Sequence, residues 1–211
     1  MLSILVTNVK GGCGKTTVAT NLATAWAAVG RVTALAEADR QRSAAEWLAR
    51  RPTTAPVIRA VDWRKTCERV PRDVERLVID APAGVAPKRV EELLRRADIV
   101  LVPVTPSIFD AGSTARFIAK LLELKPIRKS RASVGLVVNR LRSRARSSES
   151  VEAFVTSLGK PILARLSDRA AYPELAARGL GLFDPGAAVG PALRSEWRPL
   201  LTALEAMNRE D

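Results

Sequence analysis

The segment Asn8-Val9-Lys10-Gly11-Gly12-Cys13-Gly14-Lys15-Thr16-Thr17 constrains this chain more than any other. It follows an apolar, β-branched run and precedes a stretch in which Val18, Leu22, Trp26 and Val29 recur at helical spacing. A strand, a glycine-rich turn and a helix, in that order, are the context a phosphate loop requires. Gly11, Gly12 and Gly14 let backbone N–H groups turn toward phosphate oxygens, and Cys13 fills the variable place. The start of the helix adds partial positive charge. Lys15 is placed to neutralise the β- and γ-phosphates and the Thr16 hydroxyl to hold Mg²⁺, with Thr17 next in the cradle. A dinucleotide fingerprint fits less well, because Thr17 stands where its third glycine belongs. Lys10 is surplus to either motif.

Beyond this loop, short β-branched runs alternate with helical patterns. Strands are expected at residues 3–7, 32–36, 57–61, 77–79, 99–104, 133–138 and 162–165. Several are apolar without alternation, as strands covered on both faces are. Helices are expected after the loop, with Gly30 as C-terminal cap, and at 43–50, 89–96, 112–124, 150–158, 169–178 and roughly 193–207. This alternation predicts an α/β fold: a doubly wound, mostly parallel sheet with helices on both faces. The 211 residues suit one domain, 1–211.

Composition removes several classes of chemistry. There are two cysteines and no histidine, so neither a disulfide framework nor an ordinary zinc site is expected. No apolar run reaches the ~18 residues of a membrane span. Residues 1–6 lack the marks of a signal peptide, which predicts a cytoplasmic chain. The net charge of +12 calls for a polyanionic partner, nucleic acid or an anionic membrane.

Two carboxylates complete a phosphate site. Leu77-Val78-Ile79-Asp80 is an apolar strand ending in an acid, as expected of a residue that meets Mg²⁺ through water. Asp39 follows the second strand, where it can position the attacking water or join the metal shell.

Residues 10–17 resemble the deviant Walker A motif of the ParA/MinD family of P-loop ATPases. Glu37-Ala38-Asp39-Arg40-Gln41-Arg42-Ser43 resembles that family's "DxDPQxS" segment, and Val78-Ile79-Asp80-Ala81-Pro82 its Walker B strand. The stretch from Ala97 to Val104, with Pro106, Ser107 and Asp110, is similar to a segment of small plasmid-partition ATPases. Val138-Asn139-Arg140 and the tail around residues 169–174 match as well. The resemblance is closest to ParA/ParF-type proteins. It implies an ATP-bound homodimer in which Lys10 reaches the partner's nucleotide. It also implies Mg²⁺, slow ATP hydrolysis supported by Asp39, binding to nonspecific double-stranded DNA, and a ParB-like or other stimulating adaptor. Asn139 is then a candidate adenine contact, with a strand-end cap as the alternative. Two departures stand out: Glu37 replaces the first acid and Arg40 the proline. They weaken the case for Glu37 as a metal-shell residue. The chain starts at its first strand, without the operator-reading helix-turn-helix of the larger partition ATPases. Sequence-specific repression is not expected.

The expected DNA surface is the acid-free run Arg128, Lys129, Arg131, Arg140, Arg142, Arg144 and Arg146. Its cations suit phosphates rather than base edges. The chain is therefore read as a nucleoid-associated ATPase that positions a plasmid, chromosome or protein assembly. One alternative is a MinD-like membrane-surface role for the apolar stripe Leu193, Trp197, Leu200, Leu204 and Met207. That stripe lies among acids near its end and is expected to pack on the domain instead. Another is a binding module that has lost hydrolysis. A metabolic ligase lacks identifiable substrate residues, and an iron-protein reductase lacks the cluster cysteines.

Overall fold

The computed structural model describes residues 1–84, 86–105, 108–141 and 148–207. The strands are β1 (Leu2–Val6), β2 (Thr33–Glu37), β3 (Ile58–Asp62), β4 (Arg76–Asp80), β5 (Ile99–Val104), β6 (Ser133–Leu141) and β7 (Ile162–Ser167). They form one sheet in the order β3-β2-β4-β1-β5-β6-β7, and every pairing is parallel. All seven expected strands are present, within a few residues at their ends. β1 lies between β4 and β5; β2, β3 and β4 fill the sheet on one side of it, and the chain crosses to the other side between β4 and β5. The C-terminal end of β1 is thus a topological switch point, where open α/β sheets bind ligands.

The strands alternate their side chains between two cores. Leu2, Ile4 and Val6 of β1 enter one cluster and Leu5 the other. The first core is covered by α1 (Lys15–Ala28), α2 (Ser43–Ala49), α7 (Ala171–Ala177), α8 (Pro191–Ser195) and α9 (Arg198–Met207). The second lies under α3 (Pro87–Leu94), α4 (Ile108–Glu123), α5 (Lys125–Arg128) and α6 (Ser148–Ser157). Helix α1 ends as its sequence predicts. Gly30 takes φ 80°, and the N–H groups of Gly30 and Arg31 bond back to Ala27 and Trp26.

The C-terminal segment differs from the single helix expected at 193–207. It breaks after Ser195 and restarts at Arg198, so Pro199 falls in the first turn of α9, where a missing N–H is harmless. Trp197, Leu200 and Leu204 are all 0% exposed. The Trp197 indole donates to the Tyr172 hydroxyl at 3.1 Å. Glu205 accepts bonds from Trp26 and from Arg76, locking α9 to α1 and β4. The apolar stripe packs on the domain, as expected, with Leu193 and Met207 half-buried against the same core. No helix among the described residues is long and apolar enough to cross a membrane. The short α5 was not foreseen; it begins with Pro126 in its first turn, directly after α4.

Candidate nucleotide site

The phosphate loop leaves β1 at the switch point and runs into α1. Asn8 anchors its start. Its side-chain amide donates to the Pro103 carbonyl of β5 at 2.7 Å, and its carbonyl accepts the Lys10 N–H at 3.2 Å. Sequence reasoning passed over Asn8; a buried amide at a strand-to-loop junction was the available signal. The Lys10 carbonyl then gathers the loop, accepting the Lys15 ammonium at 2.9 Å and the Cys13 thiol at 3.3 Å. Burial pushes the Cys13 thiol above its ordinary pKa. Gly12 and Gly14 adopt φ 74° and 90°. At Gly14 a side chain is excluded twice over, because a Cβ there would also run into the Asn139 amide nitrogen.

Asn139 is buried, and its amide donates to the Cys13 carbonyl at 2.9 Å. The structure thus gives it a role at the loop backbone, while its place on the cleft wall leaves the adenine assignment a proposal. The cleft, of about 710 Å³, is lined among others by Thr16, Thr17, Asn139, Arg140, Trp47 and Tyr172. It runs from the start of α1 to α2 and α7.

The acids lie at the same end of the sheet. Strand register sets Asp80 opposite Val6 and Glu37, and Glu37 opposite Asp62. One Asp80 oxygen accepts the Thr16 hydroxyl at 2.7 Å, while the other is buried with no hydrogen-bond partner. A buried carboxylate oxygen left open beside a threonine hydroxyl suits a hydrated Mg²⁺. No group of three or more His, Cys, Asp or Glu among the described residues would hold a metal by itself. Phosphates and water must therefore complete the shell, as is usual for Mg²⁺ at phosphate sites.

Burial pushes the Asp80 carboxyl up to about 7; the Thr16 bond and Lys15 oppose the rise, while the Glu37 and Asp39 carboxylates add to it. A raised pKa means that the nucleotide-free fold holds a proton the unfolded chain has lost, between about pH 4 and 7. Asp80 therefore removes stability as pH rises through that window, by at most about 1.4 kcal/mol per pH unit. Without nucleotide or Mg²⁺, the melting temperature of the wild type is expected to fall more steeply from pH 5 to 7 than that of Asp80→Asn. Parallel slopes in thermal melts would count against a protonated Asp80.

Glu37 does different work from its neighbour. Its oxygens accept N–H groups from Asp39 at 2.9 Å, Ala44 at 2.8 Å and Ala45 at 3.1 Å. Burial raises its pKa, and these three bonds oppose the rise. Arg42, at the N-cap position of α2, has φ 62° and offers no side-chain cap. Glu37 supplies the cap from a distance, and its extra methylene goes toward α2 rather than toward a metal. Asp39 is half-buried just beyond β2 and accepts the Gln41 N–H at 2.9 Å.

The basic run divides. Arg128, Lys129 and Arg131 are exposed just before β6 begins, and Arg140 is exposed near its other end. The strand between them puts roughly 25 Å between the two groups. Arg142, Arg144 and Arg146 lie outside the described residues, as do Pro106 and Ser107.

The family model described as "CobQ/CobB/MinD/ParA nucleotide binding domain" matches residues 4–183. The chain belongs to this family. Within the ParA/MinD family it is 27% identical over 192 residues to the "Maintenance of carboxysome distribution protein A" of Halothiobacillus neapolitanus, covering 88% of each chain. The fold matches apo McdA of Cyanothece with a TM-score of 0.78 at 16% identity, over 97% of this chain and 99% of that one. It also matches MinD in the MinC:MinD complex of Aquifex aeolicus, with a TM-score of 0.71 at 22% identity, over 86% and 88%. This chain shares the overall fold of these ParA/MinD structures.

Proposed function

We propose that this chain is an ATPase that positions a cargo by cycling on DNA, dimerising when ATP is bound and dissociating after hydrolysis. The observation that carries the reading is the phosphate loop with its second lysine, set beside the Thr16–Asp80 pair at the sheet's switch point. Lys15 and the loop N–H groups bind the phosphates. Thr16 and Asp80 would hold Mg²⁺, whose contribution when bound is to neutralise charge on the phosphate oxygens. Asp39, just beyond the end of β2, orients the attacking water. Glu37 holds the turn that carries Asp39, so its departure from aspartate supports the site rather than disabling it. That favours turnover over a hydrolysis-dead switch.

Lys10 is the proposed contact to the nucleotide of the partner subunit. The curated relative is named for carboxysome distribution, which favours a protein assembly as cargo over a plasmid. An adaptor protein is expected to stimulate hydrolysis. The DNA surface is proposed at the exposed Arg128, Lys129 and Arg131, which sit at the edge away from the nucleotide.

Two measurements test the reading together. Binding to random-sequence duplex should need ATP and weaken by orders of magnitude from about 50 to 200 mM salt, since several phosphates are contacted. Lys10→Ala should bind ATP as a monomer yet fail to dimerise, as read by light scattering. A salt-insensitive complex would remove the phosphate-binding surface, and a Lys10→Ala dimer formed with ATP would remove the shared site.

A further inference from the structure

Three non-glycine residues among those described have positive φ: Arg42, Ser130 and Arg140. The first two lie at helix boundaries. Arg42 precedes α2, and Ser130 follows α5, where its N–H and that of Arg131 bond back to Ile127 and Pro126. Turns of this kind ask for a left-handed residue. Arg140 is different, because it lies inside β6 at φ 57°.

The strand pairing shows why. Val138 pairs with Arg165 and Leu141 with Ser167, so three steps along β6 match two along β7. One residue is extra, which is a β-bulge. Bulges gather beside active sites and re-aim a side chain. In a regular strand, neighbouring side chains point to opposite faces. Here the bulge brings Asn139 and Arg140 to the same cleft. Asn139 grips the phosphate loop at the Cys13 carbonyl. Arg140, one residue on, lies near enough for its charge to be felt at the Cys13 thiol.

Three arginines line this cleft. Arg50 faces Glu46, and Arg169 donates to the Ser167 hydroxyl. Arg140 has no acid or hydrogen-bond partner for its guanidinium among the described residues, and it is exposed. A glycine would adopt this backbone without strain, whereas an arginine does not. A strained position that keeps a long cationic side chain, aimed into a ligand cleft beside a phosphate loop, is explained by a ligand anion.

We infer that Arg140 binds the phosphate chain of the nucleotide, carried over the loop by the bulge in β6. This rests on the nucleotide site described above. It removes Arg140 from the DNA surface to which the basic run assigned it.

The test uses the whole chain, with MgATP and MgADP titrated calorimetrically. Arg140→Gly relieves the backbone and removes the cation, so it should melt no lower than the wild type. Its affinity for both nucleotides should fall about ten- to a hundredfold, the worth of a charge-assisted hydrogen bond. Arg140→Gln should fall as far, and Arg140→Lys should recover part of the loss. Wild-type affinity in Arg140→Gly and Arg140→Gln would overturn the inference, and so would unchanged MgATP affinity with lost DNA binding. A wild-type chain that binds no MgATP would sink the nucleotide site itself.

Discussion

Lys15→Ala is expected to weaken MgATP binding by roughly a hundred- to several thousandfold while leaving the fold in place. Lys15 is 8% exposed at the floor of the phosphate loop. Its ammonium donates to the Lys10 carbonyl at 2.9 Å and to the Cys13 sulfur at 4.0 Å, and phosphate oxygens would compete for its three donors. Removing one member of a buried, hydrogen-bonded charge pair costs about 3–5 kcal/mol, which corresponds to the factor given. The nucleotide-free fold loses the bond to a carbonyl that also accepts the Cys13 thiol and a long one to the Cys13 sulfur, and it no longer buries an ammonium. The melting temperature should therefore move little. Calorimetry and a thermal melt on the same sample decide the matter. An affinity within about tenfold of wild type would mean that the loop N–H groups carry the phosphates alone.

Asp39→Ala is expected to act on turnover instead. ATP hydrolysis should fall by about 10²–10⁴, the usual share of a positioned acid or base. MgATP affinity should stay close to wild type. Asp39 stands beyond the end of β2, and its carboxylate accepts the Gln41 N–H. Alanine removes that one local bond. The α2 cap is made by Glu37 and survives. The variant should accumulate as an ATP-bound dimer. Single-turnover measurements with radiolabelled ATP separate the two steps. Hydrolysis at the wild-type rate would transfer the role to another group near the Thr16–Asp80 pair.

The contrast between Asp39 and Glu37 shows how far the residues could be read alone. Both acids follow one strand in a segment that resembles a known motif. Only the folded chain separates them, because Glu37 points inward at a strand end opposite Asp80 and meets the open start of α2. Its partners lie seven and eight residues along the chain, beyond the reach of a local capping rule. The Asn139 contact with Cys13 spans 126 residues and follows from β6 lying two strands from β1. The described members of the basic run divide for a similar reason. Arg131 and Arg140 are close in sequence, yet the nine-residue strand β6 runs between them.

What the sequence determined by itself is whatever depends on neighbours along the chain. The strand–loop–helix unit at residues 2–28, the seven strands, the Gly30 cap and the acid at the end of β4 all follow from local periodicity and from glycine's backbone freedom. The tertiary structure alone decided which strand ends meet. That order set Thr16 against Asp80 and buried Asp80, which pushes its carboxyl up to about 7. It also placed the bulge in β6 where Asn139 and Arg140 line the cleft. Desolvation and register arise from contacts between distant segments, and no spacing within one segment records them.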